Sequence, residues 1–238
     1  MHERSISSVP KSILCLLAVG LASQIAWSNW LGSPRAHAED LPPAPQSSAL
    51  RLGALGEPEA LGKLLMLWLQ AFDYQSGTKV PYRNLDYPRL QEWLSRILKL
   101  DPGGQYPLLT ASQLYAETPD PVKQRQMLDF IYREYMDDPN RRWPSMANAT
   151  VIAKHRLKDL ELARKYARAL QENTKAAGVP VWVKQMEFFI LEEMNELEAA
   201  KILLGGFIAS GQVKDERDLG LLKRRLQALE EKLSPHSR

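Results

Sequence analysis

From Pro58 onward the apolar side chains recur every three to four residues, the period of a helix that buries one face. Leu61, Leu64, Leu65, Trp68, Leu69 and Phe72 share one such face, which Ser76-Gly77 interrupts. Asp86 opens a second helix carrying Leu90, Trp93, Leu94, Ile97 and Leu98, closed by Asp101-Pro102-Gly103-Gly104. A third is expected over about 106–117. Asp120-Pro121 pairs an N-cap with a proline at the first helical position, and starts a fourth that buries Met127, Leu128, Ile131, Tyr132 and Tyr135. It ends at Asp138-Pro139, and a fifth follows over about 144–156. The sixth begins at Asp159 and closes at Gly178-Val179-Pro180. The seventh holds Trp182, Val183, Met186, Phe189, Ile190 and Leu191. Asn195 with Glu198 reads as a capping box opening the eighth, which stops at Gly211. The ninth runs from Asp215 to Leu233. No alternating β-branched run or two-residue hairpin signal appears, so the expected class is all-α.

The N-terminal region follows different rules. Ser12 to Pro34 carries no formal charge, is apolar at Ile13–Ala22, and is preceded by Arg4 and Lys11. A bilayer-crossing helix needs about 20 residues, so residues 12–32 suit a span with Trp27 and Trp30 at its outer edge. Ala36-His37-Ala38 equally suits cleavage of an export signal, near Ala38. Both readings place the rest of the chain outside the cytoplasm. In a bacterium this means an inner-membrane protein with its C-terminal domain in the periplasm, or a soluble periplasmic one. The expected boundaries are 1–38 for the anchor or signal, 39–56 for a Pro-rich spacer (Pro42, Pro43, Pro45), 57–233 for the helical domain and 234–238 for a disordered tail.

Composition narrows the partners. Among 238 residues, 31 Lys and Arg face 28 Asp and Glu, a net +3. Residues 1–38 hold +2 of it, so the helical part carries only +1 and has no footprint for nucleic acid. The single cysteine, Cys15, excludes an internal disulfide or a multi-cysteine metal site. Of the four histidines only His155 lies in a predicted helix, flanked by Lys154 and Arg156, so a histidine metal site has no second ligand and a catalytic triad has one candidate base, which reads as a solvated or stacked helix histidine. Glu192-Glu193 and Glu230-Glu231 are sequence neighbours pointing to different sides of a helix, not acids facing across a cleft. Gly103-Gly104 is a helix breaker, not a phosphate loop, and Gly205-Gly206 inside the eighth helix implies close packing or a kink. The reading is therefore a non-enzyme with no cofactor and no metal.

The helices recur in pairs. Asp101-Pro102 and Asp138-Pro139, Tyr106-Pro107 and Trp143-Pro144, and Tyr115-Ala116 and Ile152-Ala153 each repeat at a spacing of 37. Asp159–Arg164 aligns with Glu196–Lys201 at the same spacing. With small residues at Ala116, Ala153, Ala163 and Ala200 and prolines after alternate helices (Pro102, Pro139, Pro180), residues 86–233 resemble the tetratricopeptide-repeat superfamily. The departures are a period above that family's usual ~34 and the absence of its Leu-Gly pair.

The resemblance implies a right-handed stack of antiparallel helical hairpins, an α-solenoid, in which each hairpin completes its core against the next. The last helix, polar around a Leu219–Leu222–Leu226–Leu229–Leu233 stripe, would be its cap. It further implies a scaffold for protein–protein interaction, here among proteins of the cell envelope. By register, Leu109, Met146 and Val183 are equivalent. The first helices would then present Thr110, Gln113, Glu117, Lys154, Lys184 and Phe188 to a partner in the groove. Tyr106 and Trp143 read as staples at helix starts, and Arg141-Arg142 as a possible seat for an acidic segment. The rival readings are an exported helical cell-wall hydrolase and a self-assembling structural subunit that binds no peptide.

Overall fold

Aspartates before helices set the punctuation of the chain. In the computed structural model, which describes residues 10–31, 40–72, 74–75, 78–79, 84–176, 178–213 and 215–234, four of them cap helix N-termini with their side chains. Asp86 accepts from the Arg89 N–H, Asp120 from Val122 and Lys123, Asp159 from Leu162, and Asp215 from Arg217 and Asp218. Each satisfies backbone donors that the first helical turn leaves unpaired. The helices so defined are α4 (Tyr87–Leu100), α6 (Pro121–Asp137), α8 (Leu160–Asn173) and α11 (Glu216–Leu233). Between them lie α5 (Tyr106–Gln113), followed by a 3₁₀ turn at Tyr115–Glu117, then α7 (Pro139–His155), α9 (Val181–Glu193) and α10 (Leu197–Ala209). Before them come α1 (Lys11–Leu31), α2 (Ser47–Gly53) and α3 (Pro58–Ala71). The class is all-α.

The chain divides into two compact units. The first joins residues 1–39 to 71–80. In it, α1 is apolar around its circumference, with a mean hydropathy of 1.4 over Lys11–Ser28, long enough to be a membrane span or a signal sequence. The Trp27 and Trp30 rings meet at 5.6 Å. Tyr74–Gln75 pairs antiparallel with Thr78–Lys79, Tyr74 opposite Lys79, a two-residue ladder where no strand was expected. The Ala36-His37-Ala38 stretch, where cleavage was one expectation, and the expected break at Ser76-Gly77 lie outside the described residues.

The second unit comprises residues 40–70 and 81–238, and its tail at 235–238 also falls outside the described residues. Its nine helices from α3 to α11 match the nine elements expected from periodicity, with four revisions. The segment expected to be a free spacer is docked. Leu41 is 1% exposed, the Arg89 guanidinium donates to its carbonyl, and the Trp93 indole donates to that of Pro42. Arg96 then bonds Ser47 Oγ at the start of α2, a helix that the sequence did not signal. A Pro-rich stretch resists helix formation but not burial. Second, α7 begins at Pro139, five residues early, because Asp138 serves as both the end of α6 and the start of α7. Pro144 therefore sits inside a helix, where it leaves the Asn140 carbonyl without its helical donor.

Third, Asn195 forms no capping box. Its φ of +60° makes it the left-handed terminator of α9: its N–H bonds the Glu192 carbonyl, and the Glu196 N–H reaches the Leu191 carbonyl. Fourth, a Cβ at Gly205 or Gly206 would meet nothing within 4 Å, so neither glycine marks a close approach.

The core runs from Leu41 to Leu229, with Tyr87, Tyr115, Tyr135, Tyr166 and Phe188 its largest wholly buried side chains. Ala116, Ala153, Ala163 and Ala200 are all 0% exposed, as close-packed helix crossings require. Contacts extend past the adjacent helix: Gln91 on α4 donates to the Gln126 carbonyl on α6, Asn148 on α7 to the Ser112 carbonyl on α5, and Tyr135 on α6 to the Ala169 carbonyl on α8.

Candidate functional site

The residues that could meet a partner lie on α7, α9 and α11. Helices α7 and α9 run side by side so that Trp143 packs edge-on against Trp182, ring centroids 6.0 Å apart. Lys154 reaches Glu193 at 2.6 Å from the same pair of helices. Helix α11 shares a buried cluster with α9 and sends Arg225 back over it. Both Nε and Nη2 of Arg225 donate to Glu192 Oε2, at 2.8 and 2.5 Å, and its guanidinium lies 4.5 Å from the Phe189 ring centroid. Such a fork-to-carboxylate and cation–π arrangement fixes the side chain.

Together these helices enclose an open cleft of about 420 Å³. Val151, Met186 and Ile190 supply its apolar lining, with Val151 43% exposed. Lys154, Glu192, Glu193, Arg225 and Lys232 supply charge, and His155 a further polar side chain. The acids are matched to separate cations rather than to each other, since Glu192 pairs with Arg225 and Glu193 with Lys154. The cleft can therefore seat a polypeptide segment with apolar side chains inside and charges of either sign at its edge. Among the described residues no group of three His, Cys, Asp or Glu side chains is placed to hold a metal ion.

The six groove residues read from register are only partly brought together. Lys154 lines the cleft. Gln113 and Glu117 are exposed near α5, where Glu117 pairs with Arg156 at 2.6 Å. Lys184 is half-buried and donates to Gln212 Oε1. Thr110 and Phe188 are buried, at 6% and 1% exposure, and offer no surface. Phe188 occupies the position that Val151 holds one repeat earlier, but α11 covers it, packing it into a cluster with Leu191, Leu204, Leu222 and Leu229. Arg142, expected beside an acidic partner, is 8% exposed and already donates to the Glu134 carbonyl and carboxylate. Arg141 remains exposed and pairs with Asp138.

Register reasoning missed Val151, Met186 and Ile190 as lining, and it missed Arg225 because that residue comes from a helix outside the repeat. The one sequence signal for Arg225 was the basic run Lys223-Arg224-Arg225 opposite the leucine stripe. The chain matches no family model, and no curated protein or solved structure is similar to it.

Proposed function

We propose that this protein is a membrane-anchored, extracytoplasmic scaffold whose stacked helical hairpins, of tetratricopeptide-repeat type, hold another envelope protein in the α7–α9–α11 cleft. The observation that carries the reading is the regular reach of its contacts. Asn148 bonds the Ser112 carbonyl 36 residues back, Tyr166 bonds Asp129 at 37, and Lys154 pairs with Glu193 at 39. Side chains that bond about one repeat away join equivalent helices of successive hairpins, which is how a stack builds a continuous core. Helix α11 supports the cap role, with its leucine stripe turned inward and Lys223 and Arg224 exposed. The apolar helix α1 supports the anchor. An exposed valine between matched ion pairs supports the binding role, because it gives a partner apolar contact with charge-based selection at the rim.

A photo-crosslinking side chain placed at Val151 in intact cells tests this, with Val122, which is 67% exposed on α6, as the reference. A discrete protein adduct is expected at position 151, absent at 122 and lost on Lys154→Glu. Equal adduct patterns at both positions would refute the assignment.

A further inference from the structure

Helix α3 is apolar on two sides. Gly62, Met66 and Leu69 turn inward, yet Leu64 and Leu67 are 63% and 62% exposed and Trp68 is 39% exposed against Trp93. A helix apolar around its circumference calls for a second apolar neighbour. Leu67 also lines a cavity of about 330 Å³ between α3, the end of α4 and the start of α5, where Met66, Ile97 and Pro107 present carbon. The outer face of α3 thus continues into an apolar recess. The end of α2 and the turn before α3 add Leu52 and Leu55, 82% and 91% exposed.

We propose that this face rests in the interfacial layer of the membrane that carries α1. The inference depends on α1 being retained as an anchor. What selects the bilayer is the length of the tether. With Leu41 and Pro42 held by Arg89 and Trp93, only residues 32–40 separate the end of α1 from the docked chain. Fully extended, nine residues span about 32 Å, less than the ~40–45 Å thickness of one bilayer with its headgroups. The helical body is therefore confined to the membrane surface. A few leucines and one tryptophan fall far short of the roughly 20–30 residues a side that a stable protein interface uses. Bilayers, by contrast, accept apolar side chains singly at the headgroup level. Exposed Arg51 and Lys63 are balanced by exposed Glu57 and Glu59, so the contact is apolar and indifferent to lipid charge.

The test uses the full chain in phosphatidylcholine vesicles. Cys15→Ser removes the single cysteine, and Leu64→Cys, Leu67→Cys or Val122→Cys then carries an environment-sensitive fluorophore. At 64 and 67, quenching by nitroxide-bearing lipid is expected to exceed that at 122 several-fold, unchanged by salt, with aqueous iodide correspondingly excluded. Iodide access at 64 and 67 equal to that at 122, with the chain still resistant to alkaline extraction, overturns this inference and leaves the anchor standing. Shielding from iodide without lipid quenching, lost as vesicles are added in excess, overturns it in favour of a second copy of the chain. A mature chain beginning near Glu39 overturns the anchor reading and this one together.

Discussion

The Tyr166 hydroxyl, wholly buried on α8, donates a 3.1 Å hydrogen bond to the Asp129 carboxylate on α6, 37 residues earlier. Burial first, and the Asp129 charge next, push the Tyr166 pKa far above the usual phenol value. The phenol therefore stays a neutral donor at neutral pH. Tyr166→Phe keeps the ring, which stacks on Tyr132 at 5.5 Å, and removes only the donor. A loss of about 1.5–3 kcal/mol is expected, the usual value of a hydrogen bond to a charged group, measured by urea unfolding of the full chain in detergent. A change under 0.5 kcal/mol would show that this bond contributes little between α6 and α8.

Asp159 gives a pH dependence. Its carboxylate accepts from the Leu162 N–H, the larger effect, and from Arg125 at 2.7 Å, and together these hold its pKa below the ordinary carboxylate value. A depressed folded-state pKa means stability that is present above the unfolded value near 4 and disappears as pH falls through the folded one. Asp159→Ala should cost about 1 kcal/mol at pH 7, typical of a lost N-cap, and progressively less below pH 4. Thermal unfolding of both chains between pH 3 and pH 7 measures the difference. A cost independent of pH would refute the linkage.

Gly206 carries the opposite expectation. It lies exposed within α10, and a Cβ there meets nothing within 4 Å. Gly206→Ala should raise stability by about 0.5–1 kcal/mol, through the backbone freedom that glycine loses in a helix. A destabilised variant in the same urea titration would mean that α10 needs a flexible point.

Docking of the Pro-rich segment depends on Arg89 and Trp93. The double variant Arg89→Ala, Trp93→Phe removes the donors to Leu41 and Pro42. Limited proteolysis should then cut within residues 40–56 several-fold faster, while sites in α6–α9 stay protected. Unchanged cutting would show that burial of Leu41 alone holds the segment.

The candidate cleft was only partly legible. Lys154 was found because repeat spacing transfers a surface position from one hairpin to the next. Phe188 failed by the same rule, since α11, which belongs to no repeat, covers on α9 what stays open on α7. Capping chemistry shows the same division. Asp86, Asp120, Asp159 and Asp215 act within three residues of themselves and were readable, whereas Asn195 ends the preceding helix instead of opening the next.

The amino-acid sequence alone determined nine amphipathic helices, four of their caps, the apolar N-terminal helix and the 37-residue recurrence, because each depends on period, composition or near-neighbour bonding. Tertiary structure decided which apolar faces stayed open: Leu41 went in, Leu64 and Leu67 stayed out, and Arg225 came over Phe189. Those outcomes depend on contacts between residues tens of positions apart, and local pattern carries no record of which surface will cover another.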